Sequence, residues 1–281
     1  MTVEELIVYG KGKTSSDHAK MLLSSYLDVN PLELLTILDK EVDSDIEKIY
    51  KSSLDALKEN KPIQYVIGNV NFYGLKFIVN KNVLIPRFET EELVEQVVEY
   101  TKDLNKDKIK ILDLGCGSGA IGLTLKSILK DSEVTLTDIS KDALEVAKLN
   151  ANNLNLDVTF IESDWFSNVK LEKYDIIVSN PPYIRTDEEI EEIVKNNEPS
   201  LALYGGVDGL DCYRKILANI KPYLNNKFLI AFEIGESQKE EIYDIVNKYL
   251  KDIEITCKKY IKTDNLYCEN IRIDAKTGFL S

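Results

Sequence analysis

The sequence predicts an α/β fold: a mostly parallel sheet with helices on both faces, preceded by a small helical region and a linking β-hairpin. Three observations carry this. From Lys108 onward, short apolar, β-branched runs alternate with helical patterns, the arrangement expected of a parallel sheet covered on both sides. The first of these runs passes into its helix through a glycine-punctuated loop, Gly115-Cys116-Gly117-Ser118-Gly119. Residues 1 to about 60 instead show apolar positions at three- and four-residue spacing with no strand pattern.

In chain order, Ala19, Leu22, Leu23, Tyr26 and Leu27 mark one helix. Pro31 is placed to open a second, short one with Leu32, Leu35 and Leu38, and Asp43-Ser44-Asp45 precedes a third with Ile46, Ile49, Tyr50, Leu54 and Leu57. Pro62–Gly68 and Phe72–Val79 are β-rich and read as a hairpin between domains. Thr90 is a good N-cap for a helix carrying Leu93, Val94, Val97 and Val98. Strands are expected near 109–113, 133–138, 157–161, 174–179 and 227–234, with helices near 119–129, 140–153, 209–220 and 236–249. Two final β-like runs, near 253–258 and 267–273, share a polar connection and are expected to pair antiparallel. The expected domains are 1–60 (helical), 61–86 (hairpin linker) and 87–281 (α/β).

Composition excludes several classes of function. The 281 residues are 44% hydrophobic and 30% charged, as in an ordinary globular protein. No apolar run approaches the roughly 18 residues of a membrane span. Met1-Thr2-Val3-Glu4-Glu5 lacks a basic n-region and an apolar h-region, so the expected location is the cytoplasm. The four cysteines form no C-x-x-C pair, which argues against a disulfide framework or zinc site. His18 is the only histidine, so histidine triads and multi-histidine metal centres are excluded, and no metal is expected. The formal charge of −13 disfavours nucleic acid as the main partner. Residues 1–80, with nine Lys, no Arg and twelve Asp/Glu, supply no basic patch. A monomer is expected.

The loop Asp113-Leu114-Gly115-Cys116-Gly117-Ser118-Gly119 lies at the carboxyl edge of the first α/β strand, where open sheets bind ligands and glycine lets the backbone approach closely. Cys116 is explained there by its small side chain. Gly117–Gly122 also satisfies G-x-G-x-x-G, a weak dinucleotide signal. Asp138 closes the second strand, where a carboxylate accepts from both ribose hydroxyls of an adenosine ligand. These features do not separate NAD from S-adenosylmethionine. Two details favour the methyl donor. Asp113 is a carboxylate placed to orient the loop and meet a cationic ligand end. Asp164 and Trp165, after the third strand, are placed to bond and cover adenine; Asp164 as a helix N-cap and Trp165 as plain core are the alternatives.

Ser179-Asn180-Pro181-Pro182-Tyr183-Ile184 follows the buried-strand pattern Tyr174–Val178. The prolines fix φ and hold the Asn180 amide and adjoining carbonyls in a set geometry. Such a rim suits a planar amino group: the Asn180 oxygen and a neighbouring carbonyl each accept one hydrogen, and Tyr183 covers the plane. A stiffened loop without chemistry is the alternative. Arg87 reads equally as a surface charge or a cleft residue.

Together, the Asp-x-Gly-x-Gly-x-Gly loop, Asp138, Asp164-Trp165 and Asn180-Pro181-Pro182-Tyr183 resemble a class I S-adenosylmethionine-dependent methyltransferase that methylates amino groups. Ile85-Pro86-Arg87-Phe88-Glu89-Thr90-Glu91, the segment Glu198–Leu210 and Glu233-Ile234-Gly235-Glu236-Ser237-Gln238 resemble the peptide-chain release-factor glutamine methyltransferases (the HemK/PrmC family), over the whole chain. Phe88 stands where that family more often has proline. The resemblance implies a Rossmann-like seven-stranded sheet, S-adenosyl-L-methionine as cofactor and S-adenosyl-L-homocysteine as product. It implies as acceptor the glutamine in the Gly-Gly-Gln loop of class 1 release factors. Asn180, Pro181, Pro182 and Tyr183 would be catalytic. Asp113, Gly115, Cys116, Gly117, Ser118, Gly119, Asp138, Asp164, Trp165 and Asn180 would hold the cofactor. The Asn-Pro-Pro-Tyr tetrapeptide is shared with enzymes that methylate adenine of DNA or guanine of ribosomal RNA, and such an enzyme is the nearest rival. A non-catalytic adenosine-binding adaptor and an NAD-dependent oxidoreductase are more distant ones.

Overall fold

The computed structural model describes residues 1–102, 104, 106, 108–251, 253–259 and 268–275. Packing divides the chain into two compact units. One comprises Met1–Val70, Val79–Lys81 and Ile190–Asn197; the other comprises Asn71–Ile78, Asn82–Glu189 and Glu198–Ser281.

The first unit is helical. Helix α1 (Val3–Lys11) begins in a capping box, Thr2 accepting from the Glu5 amide while the Glu5 carboxylate accepts from the Thr2 amide. Helix α2 (Ser16–Leu27) is capped by Ser15 and α3 (Ser44–Lys58) by Asp43. Their inward faces meet in a core of Val3, Leu6, Leu22, Leu23, Tyr50 and Leu54. Tyr50 is fully buried, and its hydroxyl donates within reach of the Leu6 and Ala19 carbonyls at 3.2 and 3.3 Å. The short helix expected after Pro31 reduces to a 3-10 turn, Glu33–Thr36, with Leu32 and Leu35 exposed. Only Leu34 is buried there, so no apolar face exists to sustain a longer helix. Helix α4 (Ile63–Ile67) replaces the expected strand. Pro62 precedes it with φ fixed, and Gly68 at φ 83° ends it in the left-handed conformation. The hairpin strands are β1 (Asn69–Phe72) and β2 (Leu75–Ile78), with Tyr73-Gly74 between them; from Asn71 to Ile78 the hairpin belongs to the second unit. A further segment, α8 (Glu192–Asn197), belongs to the helical unit, and Asn197 Nδ2 donates to the Asn60 carbonyl at 2.9 Å.

The second unit is the α/β body. After α5 (Glu89–Thr101) the chain runs β3 (Lys110–Leu114), α6 (Ala120–Ile128), β4 (Glu133–Asp138), α7 (Lys141–Leu154), β5 (Thr159–Glu162) and β6 (Tyr174–Ser179). It continues through α9 (Ser200–Leu203), α10 (Asp211–Asn219), β7 (Leu224–Gly235), α11 (Lys239–Tyr249), β8 (Ile253–Lys259) and β9 (Cys268–Ala275). The seven strands β3 to β9 form one sheet in the order β5-β4-β3-β6-β7-β9-β8. The first five are parallel, while β9 pairs antiparallel with both β7 and β8, as the two final β-like runs predict; the connection at 260–267 lies outside the described residues. Every residue of β6 is buried, the continuous burial of a central parallel strand. The order reverses between β3 and β6, so the crevice beyond their carboxyl ends is the switch point where such sheets take ligands. Asn150 on α7, fully buried, locks β2 to this body: its amide bonds the Ile78 N–H and carbonyl at 2.6 and 3.0 Å and the Ser118 carbonyl at 2.9 Å.

Gly10 on α1 tests the packing of the helical unit. A Cβ there would lie 2.0 Å from the Tyr50 hydroxyl and 2.8 Å from the Ala19 Cβ. Alanine gains about 1 kcal/mol of helix propensity, but overpacking costs about 1–3 kcal/mol and displacing a buried hydroxyl from its acceptors about 1–3 more. Gly10→Ala is therefore expected to destabilise the protein by about 2 kcal/mol in urea denaturation; a stabilised variant would refute the packing.

Candidate active site

Helix α6 and the loop before it build one wall of a cavity of about 370 Å³ at the switch point, within the range of small-molecule sites. Gly115, Gly117 and Gly119 all have positive φ (71°, 54° and 81°), a backbone path open to glycine. The loop is pinned from two sides. The Cys116 amide donates to the Thr137 carbonyl at 2.8 Å, and the Gly117 amide donates to Asp138 Oδ2 at 2.8 Å. The other Asp138 oxygen accepts the Ser140 amide at 2.8 Å. Burial pushes the Asp138 carboxyl above its ordinary pKa, against the pull of those amides.

Of the residues anticipated from sequence, Gly115, Cys116, Gly117, Ser118, Asp138, Asp164, Trp165, Asn180 and Pro182 line this cavity. Gly119, Asp113, Pro181 and Tyr183 do not. Asp113 is fully buried, does not line the cavity and holds the protein's own backbone. Its Oδ2 accepts the Gly122 amide at 2.9 Å, tying the first turn of α6 to β3, while Oδ1 is buried without a hydrogen-bond partner. Desolvation raises its pKa to about 7, despite the Gly122 bond; Asp138 adds to the rise. Burial also lifts the Cys116 thiol well above its usual value, which removes thiolate chemistry. No helix follows Asp164, so it is not an N-cap; its carbonyl accepts from Ser167 in a turn. Trp165 is half-buried. Its indole packs against the core and also lines the cavity. Its φ of 50° is unusual for a bulky residue and is held by Ser163, whose hydroxyl donates to the Trp165 carbonyl at 2.8 Å and accepts the Asn168 amide at 3.0 Å.

The second wall is the rim after β6. The buried Ser179 hydroxyl donates to the Leu114 carbonyl at 2.6 Å, so Asn180 leaves the sheet beside the glycine loop. Asn180 Nδ2 donates to Thr90 Oγ1 at 3.4 Å. Thr90 is not an N-cap: α5 starts one residue earlier and the Thr90 hydroxyl donates instead to Glu233 Oε2 at 2.6 Å. Tyr183 is half-buried, packs against the core and donates its hydroxyl to Glu233 Oε1 at 3.3 Å. Arg87 lines the cavity and is paired with Glu198 Oε1 at 2.5 Å, so the cleft reading holds. Glu198 is itself buried and accepts the Ile85 amide at 3.1 Å.

Glu198 and Glu233 entered the reading of the sequence only as parts of the family-resembling segments, and their roles, like that of Thr90, were missed. Glu233 carried a further signal, a single carboxylate within the apolar run Phe228–Ile234, because lone charges in such runs are buried only with partners. Glu198 carried no local signal of its pairing, since its partner Arg87 is 111 positions away. The only histidine, His18, is exposed on α2. No group of three or more His, Cys, Asp or Glu able to hold a metal occurs among the described residues, and no helix among them is long and apolar enough to cross a membrane.

Comparison with known proteins adds to this geometry. The Methyltransferase small domain family matches residues 91–205, and the PrmC N-terminal domain family matches residues 10–68. The release factor glutamine methyltransferase of Clostridium acetobutylicum is 42% identical over 257 residues, covering 89% of each chain. Those of Streptococcus pneumoniae and Bacillus subtilis are 38% and 39% identical, covering 91% and 86% of this chain and 90% and 86% of theirs. Among solved structures, a methyltransferase from Pyrococcus furiosus superposes with a TM-score of 0.54 at 17% identity, over 80% of this chain and 98% of its own. A SAM-dependent methyltransferase from Agrobacterium tumefaciens gives 0.54 at 16% identity, over 74% and 70%. These likenesses carry the fold.

The Asp113 carboxyl provides a pH test. Its folded pKa of about 7 exceeds the ordinary 3.8, so between those values the folded state holds a proton that the unfolded state has lost. Stability must fall as pH rises through that window. In the cofactor-free protein, Asp113→Asn should gain on wild type by on the order of 2 kcal/mol between pH 5 and pH 8, read by urea denaturation. A constant difference across that range would show that Asp113 is ionised throughout.

Proposed function

Because the chain belongs to the release factor glutamine methyltransferase family, we propose that it methylates the side-chain amide nitrogen of the glutamine in the Gly-Gly-Gln motif of class 1 release factors. The observation that carries the site assignment is the position of Asn180, on the cavity wall beside the glycine loop, with its amide nitrogen turned to Thr90.

The residues present fit S-adenosyl-L-methionine. The cavity is of ligand size, its glycine loop leaves backbone exposed to a bound molecule, and an added Cβ at Gly117 would meet nothing within 4 Å. An ionised carboxylate offers about four acceptor sites. Asp138 uses two on Gly117 and Ser140, and the remainder suit ribose hydroxyls. Trp165 and Asp164 border the place for adenine. Asp113 contributes by fixing α6 against β3. When bound, S-adenosyl-L-methionine supplies an electrophilic methyl group on a sulfonium centre, leaving S-adenosyl-L-homocysteine as product.

A carboxamide nitrogen is a weak nucleophile because its lone pair is delocalised into the carbonyl. Asn180 Oδ1 accepts one of its two N–H bonds and a backbone carbonyl of the adjoining rim accepts the other, which raises electron density on nitrogen and aims it. Pro181 and Pro182 hold the two acceptors in a fixed relation because their φ angles cannot vary. Tyr183 stiffens the rim through Glu233. A protonated amide nitrogen is strongly acidic, so no strong general base is needed after transfer. An enzyme acting on adenine or guanine is not favoured, since release factor glutamine methyltransferases at about 40% identity match most of the chain.

Asn180→Ala should lower turnover by at least on the order of 10²-fold while cofactor affinity, measured by calorimetry, stays close to wild type. The assay is mass spectrometry of a release factor incubated with enzyme and S-adenosyl-L-methionine, reading one methyl group on the glutamine. Full turnover in the variant, or methyl transfer to RNA or DNA and none to release factor, would overturn the assignment.

A further inference from the structure

Glu233 is a buried carboxylate beside Asn180 that the proposed reaction leaves without a task. It lies in β7 between Phe232 and Ile234 and is 1% exposed. Its two oxygens gather groups from two other places in the fold. Thr90 Oγ1, on α5, donates to Oε2 at 2.6 Å, and Tyr183 Oη, on the rim, donates to Oε1 at 3.3 Å. Asn180 reaches the same cluster through Nδ2, which donates to Thr90 Oγ1 at 3.4 Å.

The chemistry of this cluster dictates direction. An ionised carboxylate can only accept. Thr90 has one hydroxyl hydrogen; once it is given to Glu233, only lone pairs remain to face Asn180. The end of the Asn180 amide that meets Thr90 must therefore be the donor, Nδ2, and planarity carries Oδ1 to the opposite side. We propose that Glu233 is a positioning residue: acting through Thr90, it fixes the orientation of the Asn180 amide so that oxygen, and not nitrogen, is offered to the amino group of the acceptor glutamine. The inference rests on the proposed role of Asn180. With the amide reversed, two N–H donors would oppose each other, and the acceptor nitrogen would lose one of the two bonds that aim it.

The groups facing Glu233 are Thr90 and Glu89 on α5, Asn180 and Tyr183 on the rim, and Tyr213 on α10, whose hydroxyl donates to the Glu233 carbonyl at 2.7 Å. Burial, with Glu89 adding to it, holds the carboxyl above its ordinary value in spite of the Thr90 and Tyr183 bonds. Protonation would turn one acceptor oxygen into a donor and release the amide. Turnover must therefore fall as pH drops through that raised value. Asp113 and Asp138 titrate in wild type and in Glu233 variants alike, so the contribution of Glu233 is the part of the acid limb that wild type has and Glu233→Gln lacks.

The test is steady-state methylation of a release factor by the full-length chain across pH, with Glu233→Gln and Thr90→Val. The side-chain amide introduced by Glu233→Gln can present either its oxygen or its N–H₂ to Thr90, so the orientation is no longer enforced. Glu233→Gln is expected to lower kcat by on the order of 10²-fold, keep the cofactor Kd of wild type, and weaken the acid limb of the kcat profile. Thr90→Val, which breaks the link, should lower kcat by at least about tenfold and weaken the acid limb likewise. Wild-type kcat in Glu233→Gln, or an acid limb unchanged in it, would overturn the proposal. Should Glu233→Gln fail to fold, Thr90→Val decides, and wild-type kcat there has the same force. Full turnover in Asn180→Ala would remove the role of Asn180 itself, whereas an inactive Asn180→Ala beside a fully active Glu233→Gln removes only that of Glu233.

Discussion

The pairing of β3 with β6 is the constraint on which the site depends. Asp113 stands opposite Val178 in parallel register, and the Ser179 hydroxyl closes on the Leu114 carbonyl one step further along. Parallel strands end on the same side of the sheet, and this pair ends at the point where strand order reverses. The glycine loop and the Asn-Pro-Pro-Tyr rim therefore leave the sheet as neighbours, although they are far apart in the chain. A slip of one residue would turn Asp113 and Val178 to opposite faces and separate the two walls of the cavity.

Three buried carboxylates support that arrangement, each by accepting hydrogen from protein groups. Asp113 takes the Gly122 amide and ties α6 to β3. Glu198 takes the Ile85 amide and the Arg87 guanidinium, which sets the segment before α5 along the cavity. Glu233 takes the Thr90 and Tyr183 hydroxyls. Burying a carboxylate is unfavourable unless its oxygens are satisfied. The three differ in how far this is met. Glu198 has a full positive partner, and breaking such a pair costs more than its net contribution to stability. Asp113 and Glu233 have only neutral donors, and their carboxyls are pushed upward. The catalytic body thus spends stability to hold acceptors in fixed directions.

Much of the fold was legible because its signals are local. The α/β alternation, the five parallel strands and the final antiparallel pair follow from apolar periodicity and from the presence or absence of an intervening helix. The errors share a cause. Ile63–Ile67 is β-branched and aromatic in composition, yet Pro62 and Gly68 close it as a single helical turn. The apolar residues after Pro31 look like a helix face but have no surface to bury against except at Leu34. Thr90 has the chemistry of a cap, but a buried carboxylate claims its hydroxyl. In each case the surroundings overrode a local preference.

By itself the sequence determined the class of fold, the family and the chemical types at the site, because motifs such as Asp-x-Gly-x-Gly-x-Gly and Asn-Pro-Pro-Tyr act through the backbone they impose on a few neighbouring residues. Only the tertiary structure decided which of those residues face the cavity and which stand behind it. It withdrew Asp113 into the core and turned Arg87 into the cleft against Glu198. It also brought Glu233 to Thr90 across 143 positions. The physical reason is that a side chain's hydrogen-bond partner depends on strand order and helix packing, and no short stretch of sequence records either.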